Sequence, residues 1–188
     1  MRTARRHHRQ LWEEKLGIAE GKLDEIVFEC PMAALSTIGE VDEKAVWQNV
    51  RDLLILSENE LSQLRQDFWA DDFVDLELVT CLKKLRSETP CYILSNAWVG
   101  AREILHQKYQ VTEGETVDKL FFSYELGLAK PDPAIFVKVA ELVDIKLEEF
   151  LFIDDNRDNI RSAMDLGLQT VLFSEPSRVI QQLNCLLF

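Results

Sequence analysis

Up to about residue 72 the apolar positions recur at helical spacing, and beyond it they gather into short continuous runs, so two structural regimes are predicted. Leu11, Trp12 and Leu16 share a face, Gly17 and Gly21 interrupt it, and Leu23, Ile26, Val27 and Phe28 resume it before Pro31 stops it. Val46, Trp47, Val50 and Leu53 are spaced for one helical face behind Asp42, and the run from Ser57 to Glu60 is a capping box opening a helix over 61–69. This part is expected to be a small helical bundle. From about residue 75, helix and strand alternate: helix over 75–85, strand 91–94, helix 100–109, strand 119–123, helix 133–143, strand 150–153, helix 157–166 and strand 170–173. Buried strands separated by helices imply parallel βαβ units with right-handed crossovers, hence an open, doubly wound α/β sheet.

Ligands of such sheets sit at the carboxyl ends of the strands, so the residues just past each apolar run are the ones to inspect. Ser95 and Asn96 follow the first run; a hydroxyl and an amide at a strand-to-helix turn suit an anion, and equally suit a helix cap. Asp154, Asp155 and Asn156 follow the third run, with Asp158 and Asn159 beyond. Adjacent carboxylates leaving a buried strand need a cation or hydrogen-bond donors, and oxygen ligands of this kind suit Mg²⁺, although either aspartate also qualifies as the cap of the next helix. Lys130, followed by Pro131 and Pro133 at a helix entrance, is a fixed positive charge suited to a phosphate or to carboxylates.

Taken together, these segments resemble the haloacid dehalogenase superfamily: 93–96 its second motif, 127–136 its third and 152–160 its fourth, within a match over residues 75–175. The resemblance implies a Rossmann-like core over residues 74–188 and an N-terminal helical cap over 1–73, with wording closest to the glucose-1-phosphate phosphatase and epoxide-hydrolase phosphatase-domain group. It further implies Mg²⁺-dependent hydrolysis of a small phosphorylated metabolite. Ser95 and the amide beside it would bind a phosphoryl oxygen, Asn96 would shape that loop, and Lys130 would neutralise the nucleophile and the transferring group. Asp155 would ligate the metal with Asp154 in support, and Asn159 would orient them.

One family element has no counterpart in the sequence. The family's first strand ends in Asp-x-Asp or Asp-x-Gly-Gly and supplies the nucleophile; the nearest text, Asp72 to Asp75, follows no strand. The expectation is therefore a phosphatase recorded without its nucleophile-bearing strand and inactive as it stands. The alternatives are a non-catalytic pseudo-phosphatase serving as a binding or interaction module, and a sheet completed by another chain. A central strand buries four or five apolar side chains, on the order of 10 kcal/mol, so the sheet must be marginal or must pair its second- and fourth-motif strands directly.

Composition narrows the partners. With 33 acidic against 21 basic residues the net charge is −12, which disfavours nucleic acid and anionic membranes. No apolar run is long enough to span a bilayer. Cys30, Cys81, Cys91 and Cys185 lack metal-site spacing and read as reduced thiols of a cytoplasmic protein, monomeric or homodimeric. The arginine-rich start, without a following apolar segment, reads as a solvated first helical turn rather than a secretory signal.

Overall fold

The computed structural model describes residues 2–3 and 6–187; the Cys185 side chain, expected in the core, lies outside the described residues. Five helices come first: α1 (His7–Leu16), α2 (Lys22–Phe28), α3 (Pro31–Thr37), α4 (Glu43–Leu54) and α5 (Glu58–Phe68). Their boundaries follow local chemistry. Gly17 ends α1 at φ +66°, where only glycine adopts the left-handed turn without cost. The Asp42 carboxylate accepts the Ala45 N–H at the start of α4, and Ser57 and Glu60 complete the capping box of α5. Pro31, expected as a stop, also occupies the first position of α3, where its missing N–H costs nothing. Trp12, Leu23, Val27, Trp47, Val50, Leu64 and Phe68 form the core of this half.

Contrary to the expected solvated start, Arg9 is only 3% exposed. Its guanidinium lies 3.9 Å from the centroid of the Phe68 ring and donates to the Phe68 carbonyl (2.9 Å), Asp24 (3.1 Å) and Asp72 (3.2 Å). A planar guanidinium stacked on a ring and forked onto carboxylates tolerates burial far better than an ammonium does. Asp72 is thereby committed to an ion pair. It belongs to β2 (Asp72–Phe73), which pairs antiparallel with β1 (Arg2–Thr3).

The remaining elements are α6 (Leu76–Leu85), β3 (Tyr92–Ser95), α7 (Ala101–Tyr109), β4 (Lys119–Phe122), α8 (Ser123–Leu126), α9 (Pro133–Val143), a 3-10 turn (Leu147–Glu149), β5 (Leu151–Asp154), α10 (Arg157–Asp165), β6 (Gln169–Leu172) and α11 (Pro176–Leu187). They form the expected doubly wound α/β fold, with one departure. Its parallel strands make two separate pairs, β3 with β4 and β5 with β6, and the second- and fourth-motif strands β3 and β5 do not pair.

Strand alternation shows which groups are left over. The Cys91 carbonyl accepts from Asp118 on the β4 side, so the odd-numbered residues of β3 face β4 and the backbone groups of Tyr92 and Leu94 point the other way. On β5, Phe150 and Asp154 accept from Gln169 and Phe173, which turns the backbone groups of Leu151 and Ile153 away from β6. Side chains hold the two pairs together across this gap: Ile93 packs in one core with Leu151 and Ile153, Leu94 in another with Phe150 and Phe152, and the Tyr92 and Phe150 rings lie 6.4 Å apart. All four residues of both β3 and β5 are consequently half-buried rather than buried.

Cys30 and Cys91 are buried, Cys81 is half-buried, and all three are free thiols. Burial, reinforced by Asp118, pushes the Cys91 thiol up to about 11. No described helix is long and apolar enough to cross a membrane.

Candidate active site at the strand ends

The sequence-selected residues converge where β3 and β5 end. Lys130 is the centre: its side chain is 8% exposed and its ammonium reaches Asp154 Oδ2 at 2.6 Å and the Leu94 carbonyl at 2.9 Å. One cation thus bridges the ends of the two strand pairs. The Phe152 ring lies 5.5 Å beneath it. An ammonium has three N–H donors; two are spent within the fold, and the third meets no acceptor among the described residues.

Asp154 accepts three hydrogen bonds. Besides Lys130 it receives the Asn156 N–H (2.8 Å) and the side-chain amide of Asn159 (3.0 Å), itself 7% exposed. These donors stabilise the buried carboxylate and fix the direction in which Lys130 points. Asp155, the next residue, is exposed and carries no hydrogen bond or ion pair among the described residues. Neither aspartate caps α10; Asn156 does, accepting from Asp158 and Asn159. Of the two carboxylates, Asp155 is the one without a partner among the described residues. Among the described residues no group of three or more His, Cys, Asp or Glu gathers in a metal-binding arrangement.

Asn96 serves the loops. Its side chain donates to the Lys130 carbonyl (2.7 Å) and accepts the Lys130 N–H (2.9 Å), a two-point clamp between the loop after β3 and the loop before α9. The Lys130–Pro131 peptide within that second loop is cis. Among the described residues the Ser95 hydroxyl makes only a long contact, 3.4 Å to the Asn96 carbonyl, which leaves it available to an incoming acceptor. Ser123, which the sequence reading placed inside a strand, proves to be a further part of the site. Its buried hydroxyl accepts the Ala97 N–H (3.0 Å) and donates to the Ala97 carbonyl (3.2 Å), locking the turn that follows Ser95. The signal was its position, directly after the last residue of β4. A groove of about 400 Å³ between α6 and α11 shares none of these residues.

Together these groups could take an anion: a buried cation with one N–H that meets no acceptor among the described residues, a hydroxyl with only a long contact on a locked turn, and a carboxylate without a partner among those residues, all at strand ends. Comparison with known proteins gives the family of the chain. An enolase-phosphatase E1 from Persephonella marina is 33% identical over 87 residues, covering 46% of this chain and 38% of that protein. A D-ribitol-5-phosphate phosphatase from Bacteroides thetaiotaomicron is 32% identical over 103 residues, covering 52% of this chain and 49% of that one. The chain thus spans less than half the length of either curated relative. A haloacid dehalogenase family enzyme from the same bacterium, solved with magnesium and inorganic phosphate, superposes with a TM-score of 0.69 at 20% identity over 92% of this chain and 87% of the other. The family model for haloacid dehalogenase-like hydrolases matches residues 4–167, which contain every residue of the site, and the chain belongs to that family.

Proposed function

We propose that this chain is the phosphate-handling body of a Mg²⁺-dependent phosphomonoester phosphatase that needs one further strand, carrying the nucleophilic aspartate, to turn over. The observation that carries this reading is Lys130, a nearly buried ammonium bridging two strand ends that, among the described residues, have no strand between them. A phosphoryl oxygen would take its third N–H, with the Ser95 hydroxyl and the Asn96 backbone amide on the other oxygens. Residues 1–73 would act as the cap over this site and 74–188 as the core.

The residues present fit Mg²⁺ at the lower limit of its needs, since the ion is often held by one or two carboxylates, a substrate phosphate and water. Asp155 would be the protein ligand, because it has no partner among the described residues, and Asp154, already accepting from Lys130, Asn156 and Asn159, would support it. When bound, the ion would neutralise charge on the phosphoryl group. A strand between β3 and β5 would end beside Lys130 and bring a second carboxylate to it. The alternative, a pseudo-phosphatase that binds without turnover, is favoured by one fact: among the described residues Asp154 is the only carboxylate on Lys130.

Hydrolysis of p-nitrophenyl phosphate with Mg²⁺ tests the proposal. The expected result is no turnover by the 188-residue chain, and turnover once an apolar strand ending in Asp-x-Asp is fused ahead of Met1 and lost again in its Asp155→Asn variant. Turnover by the unextended chain would overturn the requirement for the strand. A folded, strand-bearing chain that binds inorganic phosphate and stays inert would establish the binding role instead.

A further inference from the structure

The phosphate site lies beside an aromatic surface that the chemistry above does not use. Trp98 stands three residues past Ser95, so its backbone lies within about 10 Å of the serine even if the turn is fully extended. The Trp98 ring reaches out of the α/β half to Phe28 (5.8 Å between centroids) and Trp69 (6.0 Å), and Phe28 and Trp69 are 5.9 Å apart. The three rings form a nearly equilateral triangle. Phe68 and Trp47 back it, at 4.9 and 6.5 Å from Trp69. Phe28 is 45% exposed, and Trp69 and Trp98 are half-buried, so the triangle keeps an open face.

Geometry and charge restrict what that face can take. At these separations the rings are in direct contact, Phe28–Trp69 and Trp69–Trp98 edge to face and Phe28–Trp98 tilted by 43°, so the triangle has no interior in which a cation could be caged. The Arg9 guanidinium, 5.8 Å from both the Phe28 and the Trp69 centroids, already fills the cation position behind it. A net charge of −12 disfavours leaving groups that carry further anionic groups. What remains is an apolar surface of inclined ring faces and edges. Resting on the phosphatase reading above, we infer that Phe28, Trp69 and Trp98 bind the leaving group, and that the preferred substrates are phosphate monoesters of apolar, ring-bearing alcohols rather than of sugars or polyols.

Equilibrium binding in Mg²⁺ separates this inference from the reading beneath it. The probes are inorganic phosphate, glycerol 1-phosphate, 1-naphthyl phosphate and 1-naphthol. The naphthyl ester is expected to bind about tenfold more tightly than the glycerol ester, the equivalent of one stacked aromatic contact, and to quench tryptophan fluorescence. Phe28→Ala, at a position 45% exposed and in a chain shown to be folded, should bring that ratio close to one, and Phe28→Tyr should restore it. Equal affinities for the two esters, or a ratio unmoved by Phe28→Ala and by Trp69→Leu, would overturn the inference while leaving the phosphate site intact. Naphthol binding as tightly as its phosphate would overturn it by separating the rings from that site. Failure of all phosphates, inorganic phosphate included, would remove the phosphate site itself.

Discussion

Single polar side chains set the geometry of the strand ends, and Asp118 shows how. Its carboxylate accepts the Cys91 N–H at 2.8 Å and the Arg86 guanidinium at 2.9 Å, fixing the point at which β3 begins. The Cys91 backbone N–H and, after it, Arg86 hold the Asp118 carboxyl below the usual carboxylate range, against the opposing effect of desolvation. A carboxyl depressed in the folded state contributes stability that is present above its unfolded pKa, about 3.9, and is lost as pH falls through the folded value. Asp118→Asn is therefore expected to be about 1 kcal/mol less stable at pH 7, with the one-third exposure of the pair keeping the figure low. It should also lose less stability than the parent on acidification below about pH 4, as read from urea midpoints. Asn96 and Asp154 follow the same logic: each was legible as a site residue from its place after a strand. Their use as clamp and anchor was not, because that depends on partners 34 and 24 residues away.

Helices and strands were legible nearly to the residue where a local group marks the boundary. Asp42, Ser57, Asp75 and Asp132 each accept a backbone N–H at the start of their helix, and sequence alone carries that information. The burial of Arg9, the pairing of β1 with β2 and the seat of α3 were not legible, since each is decided by a partner far along the chain. Gly39, just past α3, has φ +79°, and a Cβ built there would lie 2.3 Å from the Tyr124 carbonyl oxygen in α8. Gly39→Ala should therefore cost about 2 to 4 kcal/mol, a backbone term plus a steric one. Gly17→Ala, at φ +66° with nothing within 4 Å, should cost only the backbone term, about 1 kcal/mol. Chemical denaturation of the pair checks both, and equal losses would refute the idea that Gly39 seats the helices on the α/β half.

At the scale of the molecule, the helical and α/β halves are joined at several points. Trp98 enters the helical core, the Tyr109 hydroxyl donates to the Asp72 carbonyl at 3.2 Å, and Gly39 meets Tyr124. The α/β half is itself divided between two strand pairs whose inner edges have no strand partner among the described residues. Folded domains ordinarily protect the amides of their central strands best against hydrogen exchange. Here the order should invert within single strands. The amides of Ile93 and Phe152, turned toward β4 and β6, should exchange slowly, while those of Tyr92, Leu94, Leu151 and Ile153 exchange with the loops, giving a two-residue alternation in the deuterium pattern. Uniform protection along both strands would show that the inner edges are covered in solution. The alternating pattern would mean that the middle of the sheet behaves toward water as a pair of rims.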